Sequence, residues 1–272
     1  MIRYLLLLLL GLPFLSGRPI GRTEKGGLSS LLSKAQYEHI FPHHHPLYSY
    51  EAFVKAGDTF PLFAGEGDSV VRRRELAAFL AEVAHETGNG GSGSEGGTYA
   101  WGLYYTDEQG CQDGHCKTYN TGGNSPYHPA PGKSYYGRGP IQLTYAYNYG
   151  LAGDELGLPL LAHPELVSQN GVVAFRTALW FWMRSQAPIP SCHDVITGRW
   201  QPDARDRQLG RRPGFGMTMN IINGGVECGG GKPAAIREDR EDRIGYYRWF
   251  AAMLRVPVEK DCDCAGMTPY GN

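Results

Sequence analysis

The stretch 172–183, Val-Val-Ala-Phe-Arg-Thr-Ala-Leu-Trp-Phe-Trp-Met, is apolar nearly all round. A helix without a polar face must be covered on every side, and this run is too short to cross a bilayer. It predicts a central buried helix around which the other elements pack, with Trp180 and Trp182 as core residues first. Those other elements also read as helices. From Ser69 or Val70 to Glu86, the residues Leu76, Phe79, Leu80, Val83 and Ala84 recur at amphipathic spacing, with Asp68 or Ser69 as cap and Gly88 as stop. A last long helix runs from about Pro233 to Leu254, its inner stripe being Ile236, Ile244, Tyr247, Phe250, Ala251 and Leu254, with Arg243 at the edge. Shorter helices are expected from Leu28 (cap Ser29 or Ser30, then Leu31, Leu32 and Ala35) and from Tyr48 to Ala56. Convincing strands are few and no internal repeat is present. The expected fold is mainly α, loop-rich and a single domain.

The N-terminus has another character. Met1-Ile2-Arg3 is a short positive region, Tyr4 to Leu15 is apolar, and Ser16-Gly17 offers small residues for cleavage. Residues 1–17 therefore read as a secretory signal peptide and 18–27 as a flexible leader, with the folded domain over 28–272. A secreted, soluble protein is expected, with no membrane partner. Six cysteines suit that compartment: Cys111, Cys116, Cys192, Cys228, Cys262 and Cys264. An even count favours disulfides, although six cysteines allow 15 pairings. Cys111 and Cys116 are placed to close a small loop. A zinc site built on Cys262, Cys264 and His193 is the rival, but C-x-C without a matching C-x-x-C is a poor zinc signature. His43-His44-His45 sits in a Pro-flanked loop with no second ligand cluster, so it reads as a solvated tract. No metal or cofactor is expected. The net charge of −1 argues against nucleic acid as ligand.

Chemistry concentrates in two neighbouring segments. Ala84-His85-Glu86-Thr87-Gly88 ends the second helix described above, and Glu86 falls on the same face as Phe79 and Val83. Burial and the negative end of the helix dipole both favour the protonated carboxyl, which is what a general acid requires. A glycine-rich loop, 88–97, follows and reads as the mobile rim of a cleft. Beyond it lie the aromatic strip Tyr99-Ala100-Trp101-Gly102-Leu103-Tyr104-Tyr105 and a second carboxylate, Glu108. Two carboxyls working on opposite sides of a bond are the equipment of a glycoside hydrolase. His85-Glu86 begins like H-E-x-x-H, but Asn89 stands at the fifth position and the metalloprotease reading fails. The 12% aromatic share, with 17 tyrosines, suits sugar stacking as well as a core. In 135–144, Ile141 and Leu143 alternate with Gln142 and Thr144, so an extended segment would bury the first pair and offer the second to the cleft. Asn220-Ile221-Ile222-Asn223-Gly224-Gly225 places two amides beside a glycine turn, followed by Glu227, which Arg243 could reach.

Taken together, the Ala84–Gly88 segment, Tyr99-Ala100-Trp101-Gly102, Tyr136-Gly137-Arg138-Gly139-Pro140-Ile141-Gln142-Leu143, Pro213-Gly214-Phe215-Gly216 and the 220–225 segment resemble glycoside hydrolase family 19, the plant-type chitinases. The resemblance runs from about Leu28 to the C-terminus. It implies a lysozyme-like, two-lobed helical domain with a long cleft, hydrolysing the β-1,4 bonds of chitin with inversion and without a cofactor. Glu86 would be the general acid. Glu108, at the family's spacing (108 − 86 = 22), would be the base. Thr144 stands where the family usually has a serine that helps hold the attacking water. The resemblance implies substrate contacts at His85, Thr87, Trp101, Gln142, Tyr147, Asn148 and Asn223, and a supporting charged pair in Glu227 and Arg243.

The departures are specific. Tyr104 and a shortened segment near Leu47 remove both halves of the family's first disulfide, and Gly91 replaces a tryptophan found after the catalytic Glu. No cysteine precedes Cys111, so the chitin-binding module carried by some members is not expected. The family pattern implies Cys228–Cys264, leaving Cys192 and Cys262 as an extra bridge. A monomer acting on chitin or its oligomers is expected. The alternatives are a catalytically inactive chitin-binding relative and a lysozyme-like hydrolase of peptidoglycan.

Overall fold

The computed structural model describes residues 27–111, 119 and 125–270. The expected signal peptide, most of the leader and Cys116 lie outside them. The chain forms α1 (Lys34–Ile40), α2 (Tyr50–Gly57), α3 (Ser69–Glu86), α4 (Ala146–Leu156) and α5 (Leu166–Gln169). It continues with α6 (Gly171–Met183), α7 (Cys192–Ile196), α8 (Ala204–Gln208), α9 (Phe215–Glu227) and α10 (Ala234–Met253). Among the described residues there is no strand, only isolated bridges such as Asp107 with Arg138 and Arg138 with Leu143. No described helix is long and apolar enough to cross a membrane.

Two helices organise the core. The all-apolar run is α6, capped by the Asn170 side chain and buried from Val173 through Trp180 except Arg176. It packs on α2, where Phe53 and Phe175 approach to 5.1 Å between ring centres. The other organiser is α3, capped by Asp68 and lying along α10. Its sequence pattern suggests one inner stripe, yet every residue from Glu75 to Ala84 is buried. The alanines at 77, 78, 81 and 84 let neighbours approach from the remaining sides. The consequence is that two glutamates of α3, Glu75 and Glu82, are fully enclosed.

A buried charge survives only with partners. The Glu75 carboxylate accepts hydrogen bonds from the Ala64 amide, the Trp182 indole and His193, the last at 2.6 Å. The other ring nitrogen of His193 meets Glu66 at 2.9 Å, and Arg199 in turn reaches Glu66. Burial works against the imidazolium, but the hydrogen bonds and charges of Glu75 and Glu66 outweigh it and raise the His193 pKa. The stability this cation contributes is complete below the ordinary imidazole value, about 6.5, and is lost as pH rises through the higher folded value. Urea midpoints are therefore expected to fall between about pH 6.5 and alkaline pH in the wild type, and His193→Gln should flatten that slope. Parallel slopes for the two proteins would refute the assignment.

Several local expectations need correction. The first helix starts at Lys34, because Ser33 and Gln36 form a capping box; Leu28–Ser30 is a separate 3-10 turn. The 220–225 segment lies inside α9, kinked at Asn223 (φ −139°, ψ 28°), and is not a turn. Cys228 and Cys264 are bridged, and Cys111 is disulfide-bonded. The expected Cys192–Cys262 bridge is absent: both are buried free thiols. Cys192 opens α7, while the Cys262 thiol turns to the Glu259 carbonyl at 3.2 Å. A disulfide needs facing Cβ vectors, and an even cysteine count does not supply them. His193 is taken by its two carboxylates, and no group of metal-holding side chains forms among the described residues.

Candidate active site

The end of α3, the 104–109 segment, the 137–148 segment and the kink of α9 face one another across an open cleft of about 660 Å³. Glu86, Glu108, Thr144, His85, Gln142, Asn148 and Asn223 all line it. Glu86 is reached from α10 by the Arg243 guanidinium. That arginine is buried (1% exposed) and holds three carboxylates at once. Its Nη1 donates to Glu82 at 2.8 Å, and its Nε and Nη2 donate to Glu227 at 2.9 and 2.7 Å. Burial pushes Glu82 up to about 7 against the pull of Arg243. For Glu227 burial is outweighed by the charge and hydrogen bonds of Arg243, with help from Asn223, and its pKa is lowered. The kink at Asn223 turns its amide to donate to Glu227 at 2.7 Å, leaving the side-chain carbonyl for the cleft.

Glu108 is held differently. One carboxylate oxygen accepts the Tyr119 hydroxyl at 2.6 Å, and the other accepts the Gly137 amide at 3.0 Å. The hydrogen bond to Glu108, with burial second, pushes the Tyr119 phenol up to about 12, so it stays a donor. Main-chain bonds Glu108 N–Gly137 O and Gly139 N–Thr106 O fix the segment, and Arg138, lying 3.6 Å over the Tyr136 ring, stands 3.5 Å from Asp107. Gly137 lets the Gln142 and Thr144 side chains approach closely. A Cβ there would stand 2.8 Å from Gln142 Oε1 and 3.3 Å from Thr144 Oγ1.

Ile141 and Leu143 are buried and Gln142 and Thr144 less so, but the segment is not extended as expected: residues 139–142 form a turn with Gln142 at φ +48°, and all four side chains border the cleft. The Thr144 hydroxyl donates to the Gln142 carbonyl at 2.6 Å, so toward the cleft it acts as an acceptor. Asn148 donates to the Thr144 carbonyl at 2.9 Å, and His85 is fixed by Asp242 at 2.7 Å.

Three of the residues implied as substrate contacts stand outside this lining. Thr87 is fully buried; its hydroxyl donates to the Val83 carbonyl and accepts the Leu103 amide, stitching the end of α3 to the next loop. It has no surface to offer a ligand. Trp101 stacks on His43 with 4.1 Å between ring centres, and its indole N–H donates to the Glu95 carbonyl. Tyr147 packs edge-on against Tyr127. Glu227 also lies outside the lining, buried and bonded to Arg243 and Asn223. Sequence reasoning missed Tyr119, Asp242 and Glu82. Glu82 could have been found, since it lies one helical turn before Glu86 on the same face. Tyr119 belongs to no periodic pattern and carries no signal.

A helical domain with two differently held carboxylates in one cleft defines the glycoside hydrolase class. The family model of glycoside hydrolase family 19, described as chitinase class I, matches residues 31–264. A basic endochitinase of Vitis vinifera is 42% identical over 257 residues, covering 92% of this chain and 79% of that protein. An inactive chitinase-like protein 1 of Hevea brasiliensis is 44% identical over 261 residues, covering 92% and 80%. Among solved structures, chitinase C from Streptomyces griseus superposes with a TM-score of 0.67 at 35% identity, covering 86% of this chain and 80% of that one. The chain belongs to glycoside hydrolase family 19.

Proposed function

We propose that the chain is a secreted, monomeric endochitinase that cleaves β-1,4-linked N-acetylglucosamine polymers with inversion. The observation that carries this reading is the presence of Glu86 and Glu108 in one cleft with unlike partners. Glu86 protonates the glycosidic oxygen. Glu108, kept in place by Tyr119 and the Gly137 amide, takes a proton from a water that attacks the anomeric carbon from the opposite face. Inverting pairs stand roughly 6.5–9.5 Å apart to admit that water. Thr144, whose hydroxyl proton is directed to the Gln142 carbonyl, accepts a hydrogen bond from the water. The side-chain carbonyls of Asn148 and Asn223 are positioned to receive substrate N–H or O–H groups. Export rests on the positive, apolar and small-residue pattern of residues 1–17.

The test is incubation with a GlcNAc hexamer while product anomers are followed by NMR. Initial release of the α-anomer is expected, and β-anomer would overturn the inverting assignment. The 44% identity to an inactive chitinase-like protein favours one second reading, a chitin-binding protein without turnover. Hexamer binding with no product at all would select it.

A further inference from the structure

Tyr145 combines three properties that packing does not account for. It lines the cleft, it is 48% exposed, and its backbone is at φ +73°, ψ 137°. That conformation is nearly closed to a residue with a Cβ and open to glycine. The backbone is held there from both sides. The Tyr145 amide donates to the Tyr135 carbonyl at 2.8 Å, and the Tyr145 carbonyl accepts the Asn148 and Tyr149 amides at the start of α4. A strained backbone supporting a buried ring would be explained by the core, but this ring is not buried. Its aromatic contact is with Tyr119, whose ring lies 5.3 Å away at 74°. Among the described residues its hydroxyl has no hydrogen-bond partner. Gln142, three residues earlier and also in the cleft, is the other strained residue of this segment, at φ +48°. Thr144 stands between them.

Strain that the surroundings over-determine, at a side chain facing a cleft, points to a ligand. An exposed aromatic face suits the C–H face of a pyranose. Tyr119 fixes where such a sugar would lie, because the same side chain that touches Tyr145 hands its hydroxyl to Glu108. Resting on the hydrolase reading above, we propose that Tyr145 is a stacking platform that fixes one N-acetylhexosamine unit of the polymer on the Glu108 side of the cleft. The backbone strain is the cost of presenting that ring.

This predicts opposite effects on affinity and stability from one substitution. In a Glu86→Gln background, calorimetric titration with GlcNAc hexamer is expected to show about tenfold weaker binding for Tyr145→Gly, with Tm unchanged or higher. Tyr145→Phe keeps the ring face and is expected to bind within about threefold of its parent. Unchanged affinity in Tyr145→Gly would overturn the platform. So would a loss of affinity accompanied by a lowered Tm, which would make the ring a packing element. A Tyr145→Phe variant as weak as the glycine variant would transfer the role to the hydroxyl and overturn it too. Wild-type hydrolysis of the hexamer, measured in parallel, separates the two levels. Turnover with an insensitive Tyr145 removes only the platform, whereas neither turnover nor binding removes the reading on which it rests.

Discussion

Glu86→Gln is expected to lower kcat on a soluble GlcNAc hexamer by about 10²–10⁴-fold while leaving hexamer binding within a few-fold of wild type. The substitution is unusually clean at this position. Glu86 accepts a hydrogen bond from Arg243, and the side-chain carbonyl of a glutamine accepts the same bond. The amide keeps the shape of the carboxyl but has no acidic proton for the leaving oxygen. Glu108→Gln is also expected to abolish turnover, but with a less simple cause. Both oxygens of Glu108 are acceptors, one for Tyr119 and one for the Gly137 amide. An amide accepts from only one of them and must aim an N–H at the other donor. That variant loses geometry together with basicity. Initial rates with calorimetric titration of the same proteins decide the matter. Wild-type rates in Glu86→Gln would remove Glu86 from the acid role, and loss of binding would make it a substrate contact instead.

The helices that frame the cleft were legible because their causes are local. Asp68 caps α3, Asn170 caps α6, and most of the apolar residues of each are buried in the structure. The errors arose where two local signals compete. Ser29 or Ser30 reads as the cap beside Leu31 and Leu32, whereas the actual cap is Ser33, which has a glutamine three residues on to close the box. The glycines at 224 and 225 look like a turn. Instead, Gly224 lets α9 pass close to itself at the kink, where a Cβ would stand 2.9 Å from Asn220 Oδ1. At the site, the residues that touch the cleft were mostly readable, since their types and order carry the chemistry. The residues that hold them were not. Tyr119 reaches Glu108 from 11 residues away in sequence, and Glu75 and Glu82 look like ordinary surface charges on an amphipathic helix until α3 proves to be buried all round.

The burial of α3 makes Arg243 the residue whose loss should cost most stability. Arg243→Met is expected to destabilise the fold at pH 7 by about 3–5 kcal/mol, the range for removing one partner of an enclosed ion pair. Methionine fills much of the same space, so the cost is electrostatic. Glu82 and Glu227 are 0% and 2% exposed, and among the described residues neither carboxylate has another cation in hydrogen-bond contact, Arg240 reaching only the Glu227 main-chain carbonyl. Their remaining partners, the Thr218 hydroxyl and the Asn223 amide, are neutral. Without the guanidinium, burial raises the folded-state pKa of both carboxyls above their unfolded values. A group raised in this way binds its proton more tightly when folded, so the variant regains stability as pH falls. The deficit relative to wild type is therefore expected to shrink from pH 7 toward about pH 5. Arg243→Lys separates charge from geometry. One ammonium restores a positive charge but cannot span three carboxylates as the planar fork does. It should recover part of the stability while Glu86, left without its donor, still turns over poorly. Urea denaturation of the three proteins at both pH values, with hexamer hydrolysis alongside, provides the check. A loss below about 1 kcal/mol in Arg243→Met, with no pH dependence of the difference, would mean that the three carboxylates do not need their shared cation.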